Sequence, residues 1–135
     1  MIKTGHKLNI SILYGGLSTE HKISIQTGLA VAEAIKDRYN LDMINLESEI
    51  YNAPQLLLGA DLIFNALHGG DGENGSIQSY FDLHHIPYTG SGAKACKIAM
   101  DKNITKLIAK SVNIPTPNWI LMKRNPHTGM QLQDN

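Results

Sequence analysis

Two groups of polar residues sit beside glycine-rich turns, and each has the composition of a ligand-facing edge. The first is His68-Gly69-Gly70-Asp71-Gly72-Glu73-Asn74-Gly75, which carries a histidine and two carboxylates among four glycines. The second is Gly15-Gly16-Leu17-Ser18-Thr19-Glu20-His21. A histidine in a generic position is more often a structural hydrogen-bond partner than a catalyst. At the end of a strand, before a glycine turn, the functional reading of His68 gains weight, because ligand-handling groups collect on loops at that edge. Glu20 has two roles open to it. It can be a first-turn acid favoured by the helix dipole, or it can hold a ligand ammonium. Asp71 and Glu73 read more readily as acids at a helix start than as a metal pair.

Elements on either side must position these residues. Leu62 to Leu67 is a short apolar run with one Asn, the pattern of a strand buried on both faces. A helical pattern follows from about Ser76 to His85, with Ile77, Tyr80, Phe81 and His84 at helical spacing. The second turn has the same grammar. Leu8 to Tyr14 alternates as a strand, Ser18 or Thr19 is placed to cap a helix, and the helix runs to about Arg38. That helix is expected to bury Ile23, Thr27, Ala30, Val31, Ala34 and Ile35, with Gly28 and Ala30 allowing close packing on a sheet.

Further strands are expected at Leu41–Leu46, Ile86–Thr89 and Asn118–Met122. A loop and short helix over Glu47–Gly59 has Pro54 at its start and Leu56 to Leu58 turned inward. Helices are expected at Ala93–Met100 and Lys102–Val112. Pro115 and Pro117 stop the last of them, since proline cannot continue a helix and restricts its neighbour. Strands alternating with helices predict an α/β fold with a mostly parallel sheet of about four strands, covered on both faces.

The totals narrow the function. One domain, with at most the start of a second, fits 135 residues, 42% hydrophobic and 18% charged. No apolar run approaches a membrane span and no signal-peptide pattern opens the chain. Cys96 is the only cysteine, so an intrachain disulfide is excluded and a cytoplasmic setting fits. Twelve basic and twelve acidic residues balance, which argues against nucleic acid as a partner. The balance is uneven along the chain, because Lys102, Lys106, Lys110, Lys123 and Arg124 have no acid among them as far as Gln133. That basic stretch reads equally as a solvated helix face and as an edge facing a polyanion.

Other signals carry little. No Walker P-loop is present. Gly90-Ser91-Gly92-Ala93-Lys94-Ala95 satisfies G-x-G-x-x-A, but no acid about 20 residues on is placed to hold a ribose. His84-His85 lacks a ligand-spaced partner for zinc. Cys96 reads as a packed small hydrophobe.

Three strings in order resemble the D-alanine–D-alanine ligase family. They are Gly15 to Ser24, Ala66 to Gln78, and Pro87-Tyr88-Thr89-Gly90-Ser91-Gly92 leading to Ala99-Met100-Asp101-Lys102. The similarity covers nearly all of residues 8–121. Lys22 stands where the family commonly has an acid and Asn74 where it usually has aspartate. The resemblance implies an ATP-grasp enzyme in which one D-alanine carboxylate is phosphorylated by ATP. The amine of a second D-alanine then attacks the acyl phosphate, giving the dipeptide for peptidoglycan.

On that resemblance, residues 1–114 form a Rossmann-like (pre-ATP-grasp) three-layer substrate-binding domain, and 115–135 begin a central ATP-grasp domain. Glu20 is expected to hold the ammonium of the first D-alanine, Ile23 to line its pocket and His68 to orient it. Lys102 matches the family lysine that contacts ATP phosphate, which favours the polyanion-facing reading of the basic stretch. ATP and Mg2+ are the implied cofactors and a homodimer through the first domain the implied assembly. The family's lid, magnesium acids and oxyanion arginine have no counterpart in these 135 residues, so no turnover is expected from this chain alone. A non-catalytic interaction or dimerisation module is one alternative. Part of another ATP-grasp carboxylate–amine ligase is a second.

Overall fold

The computed structural model describes residues 7–46, 57, 59–125 and 129–133. Their contacts divide the chain into two compact units, Met1–Lys97 and Ile98–Asn135.

The first unit is built on three parallel strands, β1 (Asn9–Gly15), β2 (Asn40–Leu46) and β3 (Leu62–Asn65), with β1 in the middle. Register runs from Asn9 opposite Asn40 to Gly15 opposite Leu46, and from Ile10 opposite Leu62 to Leu13 opposite Asn65. Parallel strands need crossovers, and the helix α1 (His21–Ile35) joins β1 to β2. The helix α2 (Ser76–Leu83) follows β3.

The alternation of β1 distributes its side chains between two clusters. Ile10, Ile12 and the partly buried Tyr14 pack with Val31, Ala32 and Ile35 of α1. Leu13 joins Ile44, Ile63, Ile77, Tyr80 and Phe81 on the α2 side. This is the expected three-layer α/β arrangement, a sheet with helices on both faces. Phe81, Ile12, Leu13, Ile63 and Ile77 are essentially sealed from water; burial of each such side chain is worth about 1.5–3 kcal/mol.

Three details differ from the sequence reading. The sheet has three strands, and the fourth position is held by one parallel bridge between Ile63 and Tyr88. The Ile63 N–H donates to the Pro87 carbonyl at 2.8 Å and the Thr89 N–H to the Ile63 carbonyl at 2.9 Å. Pro87 has no N–H to extend the ladder and Gly90 ends the segment, so it stays a bridge.

Helix α1 does not bury the expected set. Ser24 and Gly28 are its buried residues, while Ile23 is 51% exposed and Ala30 and Ala34 face outward. The cause is the closeness of helix and strand: a Cβ on Gly28 would lie 2.6 Å from Tyr14 Cβ, so only a glycine admits that approach.

The third difference lies at the end of the chain. The last strand of the sequence reading begins later, as β4 (Leu121–Asn125), and pairs antiparallel with β5 (Gly129–Gln133).

The expected loop and short helix at Glu47–Gly59 fall outside the described residues except for Leu57, which is buried in the α2-side cluster, and Gly59. In the second unit, α4 (Lys102–Ser111) starts at Asp101, whose carboxylate accepts the Ile104 N–H at 3.0 Å. The division between the units falls within α3 (Ala93–Met100).

Candidate functional site

The turns after β1 and β3 lie at the carboxyl edge of adjacent parallel strands, where open α/β sheets take their ligands. Two serines stitch them together. The Ser24 hydroxyl accepts the Gly15 N–H at 2.8 Å and donates to the Ala66 carbonyl at 2.8 Å. The Ser18 hydroxyl accepts the Glu20 N–H at 3.1 Å and donates to the His68 carbonyl at 2.5 Å. Ser18 therefore serves the turn that leads into α1, and Glu20 is the N-cap residue, its own side chain making no capping bond.

That leaves the Glu20 carboxylate available. It lies against the second turn, since a Cβ on Gly69 would come 2.6 Å from Glu20 Oε2. Gly69 has φ +67°, a left-handed conformation costly for any other side chain, and its missing Cβ is the space the carboxylate uses. Glu20 thus reaches the turn one residue after His68, although it does not itself line the cavity that opens between the two turns.

The His68 ring is held between two elements. Its Nε2 is 2.9 Å from Thr27 Oγ1 on α1, and its Nδ1 faces Glu73 Oε1 at 3.8 Å. The glycine turn itself is fixed from below. The Gly72 carbonyl accepts from both the Asn65 amide at 3.0 Å and the Gln78 amide at 2.8 Å, while Asn65 Oδ1 accepts the Leu67 N–H at 3.2 Å. Asp71 accepts from the Asn74 amide at 3.1 Å, a local contact within the turn.

A cavity of about 220 Å³ opens between the two turns. Leu46, Leu67 and Ile77 give it an apolar floor, and Ser18, His68 and Asp71 give it polar walls. Ile23 does not line it. Lys102 belongs to the second unit, where it opens α4 with an exposed side chain.

The basic stretch is neither simply solvated nor simply an anion-facing edge. Lys106 donates to the Pro117 carbonyl at 2.8 Å and to Thr116 Oγ1 at 3.2 Å. Lys106 and Lys110 stand over the Trp119 ring at 5.3 and 5.7 Å, and the indole N–H donates to Asn103 at 2.8 Å. Among the described residues, no three of His, Cys, Asp and Glu cluster as a metal site. No described helix is long and apolar enough to cross a membrane.

Sequence reasoning missed Ser24 and Thr27 as site residues. A signal for them exists: Glu20, Ser24 and Thr27 fall at i, i+4 and i+7, a polar line along the helix face that meets the second turn.

Fold and edge together define an α/β domain of Rossmann-like build, with its ligand edge made by two glycine turns. A family profile described as the D-ala D-ala ligase N-terminus matches residues 45–91. The D-alanine–D-alanine ligase of Coprothermobacter proteolyticus is 41% identical over 122 residues, 89% of this chain and 40% of that one. The ligase of Carboxydothermus hydrogenoformans is 42% identical over 114 residues, 84% of this chain and 36% of that one. A crystal structure of the Bacillus anthracis D-alanine–D-alanine ligase complexed with ATP superposes with a TM-score of 0.81 at 28% identity, covering 97% of this chain and 50% of that one. In sequence and fold the chain corresponds to the N-terminal region of D-alanine–D-alanine ligases. It spans about 40% of the length of the curated relatives it matches.

Proposed function

We propose that this chain supplies the first-substrate half of a D-alanine–D-alanine ligase site. In this reading Glu20 holds the ammonium of one D-alanine and His68 orients the same molecule. ATP activates its carboxylate as an acyl phosphate, and the amine of a second D-alanine displaces the phosphate. The observation that carries the reading is that the Glu20 carboxylate lies against Gly69, the residue next to His68 in the turn that lines the cavity. A carboxylate placed by a helix start beside a rigid turn is positioned to receive an amine. Lys102 contacts ATP phosphate. Residues 1–114 form the substrate domain and 115–135 begin the ATP-grasp domain. The setting is cytoplasmic, for peptidoglycan synthesis.

The test is D-alanine-dependent ADP release with Mg-ATP, by the chain alone and with the part of a homologous ligase to which it does not align. Release is expected only from the mixture. Glu20→Gln should raise the D-alanine requirement on the order of 10- to 100-fold, the equivalent of a charge-assisted hydrogen bond of about 1.5–3 kcal/mol. A mixture of folded partners that shows no release, or a Glu20→Gln chain that performs as well, would refute the reading.

A homodimer through this domain belongs to the same proposal. Leu17, Ile23 and Leu29 are 71%, 51% and 55% exposed on and beside α1, more apolar surface than an isolated helix face needs. Sedimentation over a concentration series should show self-association weakened by Leu29→Glu. A mass that stays monomeric at every concentration would remove the dimer from the proposal.

A further inference from the structure

We infer that Thr27 is a positioning residue for His68, and that together with Glu73 it fixes the neutral imidazole as the Nδ1–H tautomer. The inference rests on His68 being the substrate-orienting group of the proposed site, but its geometry stands apart from that reading.

The two contacts of the ring agree on one proton placement. Nδ1 faces a carboxylate oxygen of Glu73 at 3.8 Å, too far for a hydrogen bond but within Coulombic reach, and the negative charge favours a proton on Nδ1 over a bare Nδ1. Nε2 is then the bare nitrogen, and it lies 2.9 Å from Thr27 Oγ1. The hydroxyl donates to it. Which ring nitrogen carries the proton is set by what the other one meets, so this arrangement is imposed by the protein.

Thr27 suits this task because its own backbone is fixed. It lies in the middle of α1, one turn after the buried Ser24, and a β-branched residue in a helix keeps few χ1 options. Glu73 is held independently, directly after the short 3-10 turn Gly70–Gly72, where its N–H donates to the Gly70 carbonyl at 3.2 Å. The ring is thus hydrogen-bonded at Nε2 by Thr27 and faced at Nδ1 by the charge of Glu73. A hydroxyl can also turn to accept, so the same grip survives when the imidazole carries both protons. A valine in place of Thr27 would keep the shape and lose the grip. The functional consequence is that the only ring N–H of neutral His68 lies on the Glu73 side.

Two-bond 15N–1H correlation spectra of the imidazole, recorded on the chain with the ring neutral, read the tautomer directly. The expected result for the wild type is a protonated Nδ1 and an unprotonated Nε2. Thr27→Val should move both nitrogens towards averaged positions, and Thr27→Ser should restore them. A wild-type spectrum with the proton on Nε2 would overturn the inference without any variant having to fold. So would a folded Thr27→Val chain with unchanged ring shifts. Adding D-alanine to the wild type tests the functional reading separately, because the tautomer is read with no ligand present.

Discussion

Ser24 has a hydroxyl that does two things at once in a place that water does not reach. It satisfies the Gly15 N–H at the end of β1 and the Ala66 carbonyl just beyond β3, and it is completely buried. Removing it strands a buried donor and loosens the two turns that carry Glu20 and His68. Ser24→Ala should lower stability by about 1–3 kcal/mol, the cost of an unmet buried polar group. The denaturation midpoint in urea checks this, and an unchanged midpoint would mean that the turns are held together by something else. At this scale the sequence pointed to the candidate site residues more readily than to the residues that hold them. Glu20 and His68 stand out because a carboxylate and an imidazole each sit beside a glycine turn at the end of a strand. Ser24 and Thr27 do not, because a hydroxyl in a helix is ordinary until its partner from a strand 42 or 41 residues away is in view.

At the level of elements, the strands and helices were legible wherever periodicity was strong, and their buried faces less so. The apolar runs at β1 and β3 and the glycine turns after them gave the parallel α/β arrangement. Ile23 was misassigned to the core because α1 meets the sheet through Ser24 and Gly28, small residues that register weakly in an apolar pattern. Gly28→Ala tests that packing. The added methyl has Tyr14 Cβ and Cγ within 3 Å, and overpacking of this kind costs about 1–3 kcal/mol, against a helix-propensity gain below about 1 kcal/mol. Net destabilisation is expected in thermal melts.

The bridge at Tyr88 makes a second test at this scale. Burial, and then the hydrogen bond to Asp82 at 2.9 Å, push the Tyr88 phenol up to about 12. Its ordinary value is 10.0, so the folded state retains the proton where the unfolded state has lost it. Stability from this group is complete below about pH 10 and is lost as pH rises towards about 12. Burial also raises the Tyr80 phenol, so tyrosinate absorbance should show more than one phenol titrating late; Tyr88→Phe should remove one of them and flatten the loss of stability across that window.

For the molecule as a whole, the decisive feature is where the apolar cores lie. Both clusters are drawn from residues between Ile10 and Phe81–Tyr88, within the first unit. Among the described residues from 98 to 122, none is buried, and Ile104, Leu107 and Ile108 on α4 are 43–46% exposed. A ten-residue helix is marginal in water without packing on an apolar face. What α4 does have is the Asp101 cap and the contacts of Lys106 and Lys110 with the Trp119 segment, each worth about 1 kcal/mol or less where solvent reaches. Amide exchange should therefore be far from uniform. Backbone amides of β1 and β3 should exchange only through global unfolding, whereas those of Thr105 to Ala109 should exchange through local opening at much lower free energy. Lys106→Met should speed the α4 amides further and leave β1 unchanged. Equal protection of α4 and β1 would contradict this division of stability. If that protection disappeared on dilution, a second copy of the chain would be what covers the α4 face.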